Sequence, residues 1–306
     1  MESASENLPS TGRSCRNCGT PLSGDYCGAC GQRDRDLRLA DIAGEALEDV
    51  TDLDSRLWVT LKTLVLRPGH ITADYIDGRR ARYLPPVRLY LVVSFLVFLS
   101  LPFTEGPAVN TVGVDQQVVE DLDAGIYIPR TNAAGEQEFL TIDEFIEQEG
   151  LRDDIEELPT WLQSALERMI VNAERIQENP DAFLDGLVRR LPQMMFFLLP
   201  VFALMVWLFY AGSSYHYLQH LVFSVHYHTV AFLAFLLMQP LNLLMPADYG
   251  GVVTLALMIY LPFALRGAYA SSKKAAAVKG MVLAVSYYFV VVLTGTLVAL
   301  MTLAFL

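Results

Sequence analysis

The sequence predicts an all-α polytopic membrane protein with about five transmembrane helices, a small N-terminal zinc ribbon and a helical acidic extramembrane segment. Hydrophobic residues make up 53% of the 306 residues, and charged residues only 18%. Soluble domains average about 25% charged residues, so this chain has too few solvent-facing side chains for one. All four cysteines fall in one short polar segment near the N-terminus, which gives the zinc ribbon.

Five apolar runs have the length, or nearly the length, needed to cross about 30 Å of hydrocarbon. They are Val87–Phe103, Leu191–Tyr210, Tyr217–Met238, Val252–Leu265 and Met281–Leu306. The fourth run crosses only if the residues beside it extend the helix.

The rest of the chain divides by composition. We expect a disordered tail at 1–14, the ribbon at 15–32, amphipathic helices and a basic turn at 36–84, the first span at 85–104, an acidic helical segment at 105–190, and a four-span bundle at 191–306. Two amphipathic helices are predicted before the first span. One has its apolar stripe between Leu39 and Val50, and the other begins at Asp54 or Ser55 and ends at Pro68-Gly69.

The charge is distributed unevenly. Residues 105–190 contain 20 acidic and 6 basic residues, although the whole chain has a net charge of −12. A segment this acidic repels phosphates, so no nucleic-acid partner is expected for it.

Lysine and arginine near span ends predict the orientation. One basic group precedes the first span and a second lies between the fourth and fifth: Arg79, Arg80, Arg82 and Arg88, then Arg266, Lys273, Lys274 and Lys279. With five spans, both groups are cytoplasmic if the N-terminus is cytoplasmic. The acidic segment and the C-terminus then lie outside the inner membrane, whereas a four-span chain would end inside. Arg189 and Arg190 oppose this assignment.

The cysteines have the spacing of a metal site. Cys15, Cys18, Cys27 and Cys30 form two Cys-x-x-Cys pairs, each followed by a glycine. Four thiolates at about 2.3 Å complete a tetrahedral zinc site, and one structural zinc ion would supply the folding energy of so short a segment. Two disulfides, a redox pair and an iron–sulfur cluster are the alternatives; disulfides do not suit a cytoplasmic segment.

The turn before the first span concentrates Arg79, Arg80 and Arg82. Guanidinium groups at this position can bind lipid phosphates, so the lipid bilayer is an expected partner. The other interpretation is that the arginines serve only as a topology signal.

Four of the five histidines lie in or beside the third span, at His216, His220, His226 and His228. Ionisable side chains at membrane depth often mark ligand sites or transport paths. On a regular helix three of them share a face, whereas His226 points elsewhere. A second metal or cofactor site, a transport path, and hydrogen bonding between helices therefore remain open.

Three stretches together resemble a bacterial membrane family, domain of unknown function 3667. They are Cys15–Gln32, Tyr75–Pro86 and Gln219–His228. The resemblance implies a zinc ribbon followed by several spans, and it implies no activity.

The favoured function is a non-enzymatic interaction or sensing module, in which the ribbon side docks a cytoplasmic protein and the acidic segment binds something outside. A transporter of small solutes or lipids is the first alternative, and a membrane enzyme with a histidine-held metal or cofactor is the second. The sequence contains no nucleophile–base pair or phosphate-binding loop, and it leaves the oligomeric state open.

Overall fold

The computed structural model is mainly helical and describes residues 13–22, 24–34, 56–101, 128–131, 137–140, 142–178, 180–244 and 250–305. The elements are α1 (Arg56–Leu66), α2 (His70–Ile76), α3 (Pro86–Ser100), β1 (Ile128–Thr131), β2 (Gln137–Leu140), α4 (Ile142–Gln148), α5 (Leu151–Glu156), α6 (Thr160–Glu178), α7 (Pro180–Phe209), α8 (Tyr217–Leu244), α9 (Gly250–Tyr269) and α10 (Lys273–Ala304).

Four helices are long and apolar enough to cross a membrane. They are the spans within α7, α8, α9 and α10, at Ala182–Phe209, Tyr217–Pro240, Gly250–Tyr269 and Lys273–Ala304. The protein is therefore a polytopic membrane protein, as the sequence predicts. The fourth apolar run is predicted to cross only if neighbouring residues extend its helix. Helix α9 does extend it at both ends, to 20 residues.

The first predicted span is shorter than the other four. Helix α3 is apolar but has only 15 residues, or about 22 Å at 1.5 Å per residue. The residues after Leu101 that would extend it lie outside the described part of the chain. Whether this helix crosses the membrane thus stays a prediction.

Helices α1 and α2 form a bent pair before the first apolar helix. Helix α1 matches the second predicted amphipathic helix, whereas the first one lies outside the described residues, as do residues 1–12 of the tail predicted to be disordered. Arg13 and Ser14, the last residues of that predicted tail, belong to the ribbon: Ser14 pairs with Pro21, and Arg13 lies 3.0 Å from Asp34. Gly69 begins α2 with a left-handed backbone (φ 77°), which glycine adopts without steric cost. The bend directs α2 back toward the spans.

The acidic segment contains a feature that the sequence analysis missed. Strands β1 and β2 pair antiparallel, with Ile128 opposite Leu140 and Thr131 opposite Gln137. Helices α4, α5 and α6 follow, so the part of the segment that the structure describes is mainly helical apart from this hairpin. Asn172 of α6 donates a hydrogen bond to the carbonyl of Leu303 in α10, at 2.8 Å. The long amphipathic helix α6 is thereby attached to the last span.

Contacts divide the chain into two units. The first contains the chain up to Phe98 together with Leu198–Leu237 and Val253–Tyr287, and the second contains Leu99–Phe197, Met238–Val252 and Tyr288–Leu306. The core of the first unit is an aromatic and aliphatic cluster shared by α7, α8, α9 and α10. Its members include Phe202, Phe223, Leu261, Leu265 and Leu283, each at most 1% exposed.

In the first unit, the bend between α1 and α2 packs on α9 through backbone atoms alone, with no side chain between them. A Cβ on Gly69 would overlap the carbonyl oxygen of Ala264, and a Cβ on Gly267 would overlap that of Pro68. Only glycine permits so close an approach at both positions. The bend is consequently held directly on the membrane-spanning helix.

Candidate metal centre and its attachment to the membrane helices

The four cysteines converge, as their spacing predicts. Their Sγ atoms all lie within 4.8 Å of one another, and all four are free thiols. The Sγ atoms of Cys15 and Cys30 are 3.6 Å apart, and those of Cys18 and Cys27 are 3.5 Å apart. A tetrahedron of thiolates around zinc has edges of about 3.8 Å, so the arrangement fits a metal ion of that size with little adjustment.

The site is built from one backbone unit used twice, twelve residues apart. In the first knuckle the Cys15 N–H donates to the Thr20 carbonyl, and the Gly19 N–H donates to the Cys15 carbonyl, both at 2.8 Å. The second knuckle repeats these bonds at the same lengths from Cys27 to Gln32 and from Gly31 to Cys27. Gly19 and Gly31 both have positive φ, of 77° and 72°. Each knuckle therefore presents its two thiols in the same way.

The cysteines differ in their ease of ionisation. Burial raises the pKa of the Cys15 thiol to about 11. A hydrogen bond to the hydroxyl of Thr20, supported by the Thr20 backbone and by Cys27, lowers the pKa of the exposed Cys18 to about 6. Because the thiolate is the metal ligand, Cys18 is more ready than Cys15 to bind an ion at neutral pH.

Gln32, directly after the second knuckle, connects the ribbon to the basic turn before the first apolar helix. Its side-chain nitrogen donates to the Gly78 carbonyl at 2.5 Å. Its side-chain oxygen accepts from the backbone N–H groups of Arg80 and Ala81, at 2.9 and 3.2 Å. The side chain of Arg16 also covers Gly78, where a Cβ would lie 2.7 Å from its Cδ. The ribbon is thus bound to this turn by specific contacts.

The basic turn is organised around Asp74, whose side chain is 12% exposed. The carboxylate accepts hydrogen bonds from the Tyr83 hydroxyl at 2.7 Å and from Nε and an Nη of Arg79 at 2.9 and 2.6 Å. Burial raises the pKa of Asp74, but the bonds from Tyr83 and Arg79 outweigh that effect and hold the pKa below its usual range. Burial and the neighbouring carboxylate raise the pKa of Tyr83 to about 12.

The arginines predicted to contact lipid phosphates have different surroundings. Arg79 is bound to Asp74 and also to Asp77, at 2.9 Å. Arg80 donates to the Tyr75 carbonyl at 3.3 Å and lies over the Tyr75 ring. Arg82 is exposed. Two of the three guanidinium groups therefore stabilise the turn itself, and contact with lipid stays a prediction.

The histidines point to three different helices. His220 Nδ1 lies 2.8 Å from the Tyr269 hydroxyl in α9, and His228 Nε2 lies 2.6 Å from the Tyr287 hydroxyl in α10. His226 Nδ1 lies 2.9 Å from the Thr72 hydroxyl in α2. Of the three buried histidines, His226 alone contacts α2. His216 precedes α8 and is exposed, so it does not join the buried three.

These contacts join α8 to three other helices. Within the described residues, the cysteines are the only group of three or more His, Cys, Asp or Glu side chains close enough to hold a metal ion. In the same part of the chain, a ring nitrogen of His220 and one of His226 are buried without a hydrogen-bond partner. His226 is also among the residues that line a cavity of about 10 Å³, the size of one water molecule.

The partners of these residues carry no signal in the sequence. Helical periodicity shows which histidines share a face, but it cannot show that Thr72, Tyr269 or Tyr287 will oppose them. Asp74 could have been found, because Asp74 and Asp77 are the two acids directly before the run of arginines at 79–82. Gln32 appears in the cysteine motif, but nothing in its spacing indicates a role.

The fold and the site together define a polytopic membrane protein with a four-cysteine centre able to bind a metal. A family model described as a protein of unknown function, DUF3667, matches residues 54–98. The match contains the Tyr75–Pro86 motif, α1, α2 and most of α3, and it does not reach the cysteines or the four histidines between 216 and 228. Comparison with curated proteins and with solved structures finds no match.

Proposed function

We propose that the protein is a non-enzymatic membrane module whose ribbon, held by one structural zinc ion, docks a cytoplasmic protein partner. The observation that carries the proposal is the bonding of Gln32 to residues 78–81. Through it the ribbon is attached to the helices that contact the spans. A partner bound to the ribbon would therefore act directly on the membrane-embedded part of the first unit.

The donor set supports zinc and a structural role. Four thiolates fill a tetrahedral shell. They leave no open position for substrate or water, whereas catalytic zinc requires such a position. The duplicated knuckles and the distances between the thiols suit such a closed site. The zinc ion would stabilise the ribbon, because so short a segment cannot bury a sufficient core.

The orientation proposed from the basic residues agrees with their positions in the first unit. Tyr75, beside the basic turn, packs on Leu218 and Val222 at the beginning of α8. Lys279 donates to the carbonyl of Phe209 at the end of α7, and the short 210–216 connection joins that end to α8. Both basic groups are thus at the same ends of the spans. This supports one common side for both basic groups and the ribbon, which we propose to be the cytoplasmic side of the inner membrane. An external acidic segment and an external C-terminus are proposed from the five-span assignment.

The alternatives of transport and metal-dependent catalysis have weaker support. The enzyme would need histidines available to a metal, and a transport path would be favoured by a polar cavity that reaches His220 or His228. The three buried histidines instead contact side chains of α2, α9 and α10. Interhelical hydrogen bonds of this kind contribute about 0.6 kcal/mol each on average in membrane proteins. The histidines are accordingly proposed to hold the helices together.

Metal analysis and site-specific photo-crosslinking test the proposal. We expect one zinc per chain, lost when Cys27 and Cys30 are replaced by serine. A photo-crosslinking amino acid at Tyr26, which is 59% exposed on the ribbon, should capture one defined protein in native membranes. The same amino acid at Tyr288, 49% exposed on α10, is the control.

Each of the two measurements has an outcome that would contradict the proposal. A second metal equivalent that survives the serine substitutions would favour an enzyme or cofactor site. Equal crosslinking from Tyr26 and Tyr288, or capture at Tyr26 that persists when the zinc is lost, would contradict docking by the ribbon.

A further inference from the structure

A groove of about 490 Å³ lies where the bend between α1 and α2 meets the end of α9. Its lining includes Pro68, Phe263, Arg266, Gly267 and Ser271. Two of these lining residues, Pro68 and Gly267, are in close backbone contact. Since that contact permits no side chain at Gly267, the groove is a fixed feature of the packing.

The groove carries an excess of positive charge. Arg266 is exposed in the last turn of α9, and Arg67, Lys273 and Lys274 are exposed in the segments beside it. No Asp or Glu occurs in residues 56–73 or 250–287, the two stretches that build the groove and its rim. The groove therefore favours an anion, and Arg266 can fork onto phosphate oxygens.

Apolar side chains adjoin this charge. Phe263 lies one turn before Arg266, toward the middle of the span, and is 58% exposed. On the neighbouring α1, Trp58 and Leu66 are 76% and 67% exposed, while the opposite face, at Thr60 and Leu64, is buried. An amphipathic helix with an outward tryptophan and flanking basic residues is typical of the membrane–water interface. This pattern favours a position of the groove near the lipid headgroups.

We propose that this groove binds an anionic glycerophospholipid, with the headgroup phosphate on Arg266 and an acyl chain along Phe263. The site is distinct from the arginine turn, where Arg79 and Arg80 are bound to Asp74 and Tyr75. The proposal does not depend on the function of the ribbon. A free phosphate ion would satisfy Arg266 but would leave Phe263 exposed.

Native mass spectrometry of the full chain, exchanged into mixed phosphatidylglycerol and phosphatidylcholine, tests the site. The wild type should retain phosphatidylglycerol preferentially. Arg266→Gln should lower its retention about fivefold, because one basic residue near a membrane surface contributes about 1 kcal/mol. Arg266→Lys should retain part of the preference, since it keeps the charge and loses the fork.

Arg152→Gln is the control for net charge, because it replaces an exposed arginine in α5 of the acidic segment. This variant should bind the lipid as the wild type does. Circular dichroism of each variant verifies folding. Millimolar inorganic phosphate should not displace the lipid. Equal retention by wild type and Arg266→Gln, equal retention of both lipids, or displacement by phosphate would each overturn the proposal.

Discussion

Gly69 lies against Ala264 with no space for a side chain between them. A Cβ on Gly69 would overlap the Ala264 carbonyl oxygen and would lie 2.6 Å from the nitrogen of Ala268. The contact fixes the bend between α1 and α2 on the last turns of α9. Because Gly69 also has φ of 77°, both space and backbone conformation require glycine at this position.

Gly69→Ala should therefore destabilise the protein more than the same change at Gly212. Gly212 has a similar φ of 85°, but no atom of the described residues lies within 4 Å of the position that a Cβ would take there. Both variants incur the left-handed cost of about 1–2 kcal/mol. Only Gly69→Ala adds overpacking, about 1–3 kcal/mol more. Thermal unfolding in detergent should show the larger fall for Gly69→Ala, and equal falls would exclude close packing as the cause.

Asp74 should make stability depend on acidity. Its folded pKa is lowered, so the carboxylate contributes fully above its unfolded pKa, about 3.9, and this contribution is lost as the pH falls through the folded value. Asp74→Asn should reduce the free energy of unfolding at neutral pH by about 1.5–3 kcal/mol, the range for bonds to charged groups. Denaturant unfolding at several pH values measures both effects.

The difference between wild type and Asp74→Asn should shrink as the pH is lowered. Asp77→Asn is the matched control, because Asp77 also contacts Arg79 but its side chain is 54% exposed. It should change stability little, as exposed ion pairs usually do. A difference between wild type and Asp74→Asn that does not change with pH would contradict this account of the carboxylate.

Gln32→Ala should free the backbone of the basic turn. The N–H groups of Arg80 and Ala81 both donate to the Gln32 side chain. Loss of a bond contributing about 1 kcal/mol should accelerate hydrogen exchange at these amides about fivefold. Gln219→Ala removes the comparable acceptor of the His216 N–H and should affect only that amide. Unchanged exchange at residues 80 and 81 would show that the ribbon does not dock there.

Tyr287→Phe and Tyr288→Phe compare neighbouring hydroxyl groups on α10. The Tyr287 hydroxyl lies 2.6 Å from Nε2 of His228, whereas Tyr288 is 49% exposed. Tyr287→Phe should destabilise the protein by about 0.6–2 kcal/mol, the range measured for hydrogen bonds between membrane helices. Tyr288→Phe should have almost no effect. Unfolding in mixed micelles of detergent and SDS gives both values, and equal losses would remove the proposed cross-link.

Features that depend on local sequence were predictable. The cysteine spacing gives the metal site, since two Cys-x-x-Cys turns with following glycines largely determine where their thiols point. Apolar length likewise gives the spans, because the bilayer requires a minimum number of residues. Helix α1 ends where Pro68-Gly69 predicts, directly before the contact with α9.

Features that depend on the meeting of distant segments were not predictable. Thr72 and His226 are 154 residues apart, and no pattern in either segment indicates the other. Strands β1 and β2 were missed because four residues each are too few to show an alternation of period two. The docking of Gln32 depends on backbone groups of the turn, whose donors carry no signature in the sequence.

The bond between Thr72 and His226 also sets a condition on biosynthesis. At about 5–20 residues per second, the ribosome needs about 8–30 s to make the 154 residues that separate them. During that time helix α2, with its Gly69 bend, has neither α8 nor α9 to pack against. The early-made segment must wait at the membrane surface, and a translation pause or truncation before α8 would leave it exposed to proteases.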